Sequence, residues 1–313
     1  MIKTGRSKYG TVREFLDWVK EIREKNEQNQ LLDRTRIFYR GQSNHNWPIL
    51  PYVFRTDKGI YREYELYNQA RCLAWDVLSD SRTPMEMLVR MQHFGLPTRL
   101  IDVTHNPIVA LFFACDGSPR NNGCIYWGSN EHLCNDKFAD AIAREVIEYD
   151  RGDYCCKDIR RFFPETFSNI EEWSDSDKTR LVFCINGLSR PYYILPPYNN
   201  SRIKAQKGAF IIPPLLCSYM DVVPTEDALY HGVKRNIDYK SYSIPIMGGN
   251  KYIFQPELYV IPSKFKQGIL AELSEMGIDR ASLFPDNIEA LMNQIAGSVR
   301  LKNMDFSFES LNN

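Results

Sequence analysis

The stretch "NPIVALFFAC", residues 106–115, constrains the fold more than any other part of the chain. Nine apolar residues, Pro107 to Cys115, follow Asn106 without a polar interruption. The proline suits a first helical turn, and a helix that is apolar all round has to be buried. Immediately before it, "GLPTRLIDVT" reads as a short strand. The chain therefore has to enclose a strand that turns directly into a core helix.

The neighbouring segments supply the elements for that. Thr11 and Glu14 have capping-box spacing, and Val12, Phe15, Leu16, Val19 and Ile22 recur at helical intervals, which predicts a helix over 11–26. Residues 36–40 read as a strand, followed by a loop carrying Gly41, Asn44, Asn46 and Pro48. Helices are expected over 61–78 and 84–93, and "GCIYWGS" reads as a strand from its aromatic and β-branched run. Residues 129–180 mix charges and aromatics without a clean period and read as a helical insertion, with "DKFADAIAREVIEYD" as its best helix. "RLVFCING", "RIKAQKGAFIIPP" and "ELYVIPSK" read as three more strands. "KFKQGILAELSEMGI" is a helix ended by Gly277, and "LFPDNIEALMNQIAGSVR" a last one. Strands cluster late and do not alternate with helices, which favours a single α+β domain with its core at 34–128 and 181–290.

Charge and cysteine usage narrow the function classes. Thirty-nine basic residues balance thirty-nine acidic ones, so no global field draws the protein to nucleic acid or to an anionic membrane. Eight cysteines lack any C-x-x-C pair and accompany five histidines, which argues for buried reduced thiols rather than a zinc site. No apolar stretch reaches the ~18 residues that span a bilayer, and the first twenty residues resemble neither signal peptide nor anchor. A cytoplasmic protein is the expectation. No G-x-G-x-x-G follows a strand and no G-x-x-x-x-G-K-[ST] occurs, so Rossmann and P-loop readings are weak.

Three places carry candidate chemistry. Arg40 ends a core strand, where its planar fork would suit an anionic ligand in a cleft, although pairing with a carboxylate is the commoner use. Arg99, Asp102, Thr104 and His105 surround the strand-to-helix turn; Asp102 or Thr104 can equally be a simple helix cap. Gln206 before Gly208 reads as a strand end and tight turn, and Glu257 in Gln255-Pro256-Glu257 leads into an apolar strand.

Together these stretches resemble the FRG domain family, named for a [FY]-R-G motif that stands here as Tyr39-Arg40-Gly41 with Gln42 after it. The resemblance runs through Leu50, Pro51 and Arg55, then through Gln92, His93, Gly95, Pro97, Thr98, Arg99, Asp102, Thr104, Asn106, Pro107, Ala110, Phe113 and Ala114. It resumes at Arg202, Gln206, Gly208 and Phe210 and closes on Gly277, Ile278, Leu283, Phe284, Pro285 and Asp286. Val103 departs from it, since the family pattern has tryptophan there. The layout also looks like that of ADP-ribosyltransferases of the arginine, serine, glutamate type. That likeness implies a mostly antiparallel sheet core with flanking helices, and NAD as substrate. It implies Arg40 on the pyrophosphate, Thr104 with Asp102 on the nicotinamide ribose, and Tyr39 with Trp47 bracketing the ring. Gly41, Gln42, Arg55 and Arg99 would complete the NAD site, with Gln206 or Glu257 in the glutamate role and no metal. The acceptor would be RNA or protein; 18 tyrosines and the basic runs Arg160-Arg161 and Lys264-Phe-Lys266 would suit RNA. Association of the family with toxin and phage-defence loci implies a possible neutralising antitoxin, and no membrane partner. Two other classes stay open: a nuclease or phosphodiesterase using His93, His105, Asp102 and Arg99, and a non-catalytic module that binds a nucleotide or a protein.

Overall fold

A computed structural model describes residues 4–6, 10–28, 37–55, 63–129, 136–149, 153–154, 163, 175–197, 200–215, 233–234, 247–248, 251–252, 254–255 and 257–285. The expected helix after Asp286 and the Arg160-Arg161 pair lie outside the described residues.

The strands of the main sheet are β1 (Thr4–Arg6), β2 (Ile37–Gln42), β3 (Ile101–Thr104), β4 (Gly123–Ser129), β5 (Tyr192–Ile194), β6 (Gly208–Ile212) and β7 (Leu258–Ile261), and four two-residue strands pair separately into two small ribbons. The main strands form one seven-stranded sheet in the order β1-β7-β4-β2-β3-β6-β5. Every neighbouring pair is antiparallel except β1 with β7, so the α+β expectation holds. Pairing is uneven across the middle. β2 holds six registered pairs with β4, from Ile37–Ser129 to Gln42–Cys124, but a single one with β3, Tyr39–Thr104. The sheet thus has a seam between β2 and β3.

The helices are α1 (Val12–Gln28), α2 (Glu63–Leu73), α3 (Trp75–Leu78), α4 (Pro84–His93), α5 (Pro107–Cys115), α6 (Asp136–Glu148), α7 (Asp175–Leu188), α8 (Ser201–Gln206), α9 (Lys266–Glu275) and α10 (Arg280–Leu283). α1 starts as its sequence predicts: the Glu14 amide donates to Thr11 Oγ1 at 3.3 Å and the Thr11 amide to Glu14 Oε2 at 3.4 Å. It buries Val12, Phe15, Val19 and Ile22 with α5, α9 and the inner residues of β4 and β7. Phe38, Ile101, Val103 and Tyr126 face the opposite side of the sheet and are covered by Ile49, Leu50, Val53, Phe54 and Phe254. A third cluster joins α4, α6 and α7 to β5 and β6. α6, the best helix expected in 129–180, packs into this cluster.

Two expected strands are helices. "RLVFCING" lies in α7 and "RIKAQ" forms α8, with Lys207 in the left-handed region (φ 49°, ψ 41°) before β6 begins at Gly208. The expected helix over 61–78 is split at Ala74, whose φ of −127° and ψ of 35° leave the helical region.

α5 sits unusually close to the sheet. A Cβ on Gly41 would stand 1.9 Å from the Ala110 carbonyl oxygen, and one on Gly123 2.1 Å from that of Ala114. Ala110 and Ala114, one turn apart, thus rest their backbone directly on two glycines of β2 and β4. That contact explains the glycine of the Tyr-Arg-Gly triplet by close approach rather than by backbone conformation.

Candidate functional site

A cleft of about 190 Å³ opens along the seam, lined by Tyr39, Arg40, Gly41, Asp102, Val103, Thr104, Phe113, Arg202 and Gln206. By strand alternation Tyr39 and Gly41 point to the α5 side, whereas Phe38, Arg40 and Gln42 spring from the other face. Arg40 nevertheless reaches the cleft, because its guanidinium crosses the gap that the missing ladder leaves. Its Nη1 donates to the Asp102 carbonyl at 2.6 Å and its Nε to Gln42 Oε1 at 3.2 Å. Gln42 is in turn fixed by its amide, which donates to the Trp47 carbonyl at 3.0 Å. The rest of the fork faces the cleft. Burial pushes the Arg40 pKa down while the Asp102 carboxylate opposes that shift and Arg55 adds to it, so Arg55 stands close enough to be felt. An arginine stays charged even so.

Across the cleft stands α8. Arg202 and Gln206, one helical turn apart, both face the cavity. The Arg202 guanidinium lies over the Phe284 ring at 4.7 Å, and Phe284 meets Phe113 of α5 edge to face at 5.9 Å. Gln206 Nε2 donates to the Leu283 carbonyl at 3.0 Å. The short α10 and Phe284 thus brace this wall, and a capping box between Asp279 and Ser282 starts α10. Asp102 is the only carboxylate among the lining residues. Gln92 Nε2 donates to its Oδ1 at 2.7 Å, and Thr98 Oγ1 donates to Gln92 Oε1.

Other sequence candidates have structural roles. The Thr104 hydroxyl donates to the Gln206 carbonyl at 2.6 Å and accepts from the Asn106 amide at 2.9 Å, so its proton is committed to tying β3 to α8. The cap of α5 is Asn106, which accepts from the Ile108 amide at 3.0 Å, and neither Asp102 nor Thr104 takes that position. Arg99 is not in the cleft. It is 1% exposed and paired fork to fork with the equally buried Glu63, at 2.7 Å from Nε and 2.5 Å from Nη2. The Tyr67 hydroxyl donates to the same carboxylate at 3.0 Å, pinning α2 beneath β3. Arg55 bonds the Leu50 carbonyl at 3.4 Å and lies over the Tyr52 ring at 5.4 Å, outside the lining.

His105 is held at both ring nitrogens, Nδ1 by the Ile37 carbonyl at 3.0 Å and Nε2 by the Tyr193 hydroxyl. His93 ends α4 with its ring against Phe94 at 5.0 Å. Tyr39 is buried, with burial raising its phenol pKa against the charge of Arg23, while Trp47 is 48% exposed; the two do not form one bracket. Glu257 precedes β7, which pairs with β4 and not with β6, and its carboxylate meets Lys25 at 3.5 Å. With strands ~4.8 Å apart, that puts it about 10 Å from β2 and outside the cleft. Lys266, half of an expected basic run, is buried, its ammonium donating to the carbonyls of Ser43 at 2.5 Å, Ser118 at 3.1 Å and Gly117 at 3.4 Å. Among the described residues no group of three or more metal-ligating side chains is found, and no helix is long and apolar enough to cross a membrane.

The structure therefore brings together Tyr39, Arg40, Gly41, Asp102, Thr104 and Gln206, and leaves Gln42, Arg55, Arg99 and Glu257 out of the lining. Sequence reasoning did not single out Arg202 or Phe113 as site residues. A helical reading of "SRIKAQ" would have found Arg202, because it puts Arg202 and Gln206 on one face.

The model of the FRG domain family matches residues 35–123. The matched span supplies Tyr39, Arg40, Gly41, Asp102 and Phe113; the similar stretches around Arg202 and Phe284 lie outside it. Neither the search of curated proteins nor that of solved structures returned a match.

Proposed function

We propose that this protein binds NAD in the seam cleft and transfers ADP-ribose to a macromolecule, RNA or protein. The observation that carries the reading is the pair of arginines on one cavity, Arg40 set across the seam and Arg202 facing it from α8, beside a single carboxylate. Two planar forks suit the two phosphates of a dinucleotide. A cavity of about 190 Å³ is below the ~300–1,000 Å³ of sites that enclose whole drug-sized ligands, so it would take the pyrophosphate and the nicotinamide ribose. The adenosine would lie over the rim.

Departure of nicotinamide leaves oxocarbenium-like charge on the ribose, which an ionised carboxylate stabilises better than an amide does. Asp102 is that carboxylate in this cleft, in the role that the family likeness gives to Gln206 or Glu257. The reading extends to an effector of the toxin or phage-defence kind, restrained by a protein partner.

Two observations favour a second reading. Gln206 stands where a glutamate is expected and Glu257 is tied to Lys25, which suits a module that binds a nucleotide without turning it over. The nuclease reading loses support because both ring nitrogens of His105 are engaged.

The test is nicotinamide release from NAD by purified protein, with total RNA or with lysate protein, beside Asp102→Asn. Release coupled to labelling of one macromolecule and abolished by Asp102→Asn supports the transferase. NAD binding without release under any condition supports the module, and absence of NAD binding sinks both uses of the dinucleotide.

A further inference from the structure

A second cavity, of about 210 Å³, lies between α4, α6 and the chain leaving β5, and it shares no lining residue with the seam cleft. Its position follows from how α4 begins. Thr83 caps the helix, its Oγ1 accepting from the Glu86 amide at 3.2 Å, and Pro84 occupies the first turn. Met85, Glu86, Val89 and Arg90 then recur at helical spacing and face the cavity together.

Glu86 and Arg90 stand one turn apart, in the order that favours an ion pair on a helix, yet they do not pair with each other. Each is held elsewhere. Glu86 Oε2 accepts from the Arg82 amide at 2.7 Å, and Arg90 Nη1 donates to the Val77 carbonyl at 2.5 Å. Among the described residues Glu86 Oε1 and the Arg90 Nε and Nη2 groups have no partner. Asp80 approaches Arg90 Nη1 at 3.6 Å, but its side chain is 78% exposed and offsets little of the charge. Backbone clamps thus keep two opposite charges separate, and both line one cavity.

The remaining walls select further. Met85 and Val89 of α4, Ala139 of α6, and Ile194 and Pro196 at the end of β5 are buried and apolar, while Asp140 of α6 adds a second carboxylate. A ligand with only one sign of charge would leave Glu86 or Arg90 unmatched, and a wholly apolar one would strand both. The volume is below the ~300 Å³ at which drug-sized sites begin, so the occupant is a small molecule. A zwitterion with an apolar tail meets all three conditions.

We propose that this cavity binds a free α-amino acid with an apolar side chain. Its carboxylate accepts from the open N–H groups of Arg90, its ammonium donates to Glu86 Oε1, and its side chain lies on Met85, Val89, Ile194 and Pro196. The site stands whether or not the seam cleft takes NAD, because the two cavities have separate walls.

The test titrates L-leucine, L-methionine, L-valine and L-phenylalanine into the purified full chain by calorimetry, followed by the amide and the N-acetyl derivative of whichever binds tightest. At least one amino acid should bind with a Kd in the millimolar range or below. The amide lacks the carboxylate and the N-acetyl derivative lacks the ammonium, so each should bind at least about 10-fold more weakly, for the loss of one charge-assisted hydrogen bond. Glu86→Gln keeps an acceptor for the Arg82 amide and should melt as the wild type does. It should weaken the amino acid at least about 10-fold and leave the N-acetyl derivative unchanged, since that ligand has no ammonium to lose. Failure of all four amino acids to bind overturns the proposal. Equal affinity for parent and derivatives overturns it on the wild-type chain alone, whatever Glu86→Gln does to folding, and undiminished binding by a folded Glu86→Gln does so too.

Discussion

Two arginines of similar sequence setting have opposite fates. Arg99 is spent on Glu63 in a fully buried pair, whereas Arg40 gives part of its fork to Asp102 and Gln42 and keeps the remainder for the cleft. Removing one partner of a buried pair strands a charge and costs about 3–5 kcal/mol, while replacing both with apolar residues is often neutral. Glu63→Gln is therefore expected to cost that much in urea denaturation, and Glu63→Met with Arg99→Met to recover most of it. Arg202 tests binding rather than folding. Charge-assisted hydrogen bonds contribute about 1.5–3 kcal/mol, so Arg202→Ala should weaken NAD roughly 10- to 100-fold by calorimetry with the melting temperature of the free protein little changed. The residue types were legible in the sequence, but their partners were not: nothing in "PTRLID" announces that a glutamate 36 residues upstream waits for Arg99.

Among the elements, those with strong local signals formed as read: α1 with its capping box, α4 behind Pro84, α5 behind Pro107, and β4. The failures among them have two causes. "RLVFCING" carries strand-like residues, yet packing on the cluster around α6 makes it a helix. "RIKAQ" is mostly helix formers, and reading it together with the apolar run after it concealed Arg202. Glu257 was misplaced because strand order in a sheet is set by pairing, and β7 joins β4 rather than β6. Gly41→Ala is the prediction at this scale. Its methyl would collide with the α5 backbone at 1.9 Å, so the helix must retreat, at the upper end of the ~1–3 kcal/mol typical of overpacking. Gly208→Ala, with room at 3.6 Å, should leave chemical stability unchanged and serves as its control.

For the molecule as a whole, alkaline pH should be the weak flank. Burial pushes the Cys124 and Cys184 thiols up to about 11 and Cys115 to about 12, from 9.0 when exposed. A thiol raised in the folded state contributes stability that is fully present below pH 9 and is lost as pH climbs toward the folded value, because only the unfolded chain then releases its proton. Each fully shifted thiol steepens the fall by up to about 1.4 kcal/mol per pH unit. Urea midpoints measured from pH 8 to 11 should drop from about pH 9 upward, and Cys115→Ala with Cys124→Ala should flatten the slope.

The glycine contacts beneath α5 give the cleft a fixed gauge. Helix and sheet meet backbone to backbone at Gly41 and Gly123, so their spacing is set by atoms that neither rotate nor change length. A wall resting on side chains could drift as those side chains were exchanged over generations. This one has no such slack: the distance from Phe113 to the seam is tuned only by losing the contact altogether, which sets the aperture in backbone while the rim around it is built from side chains.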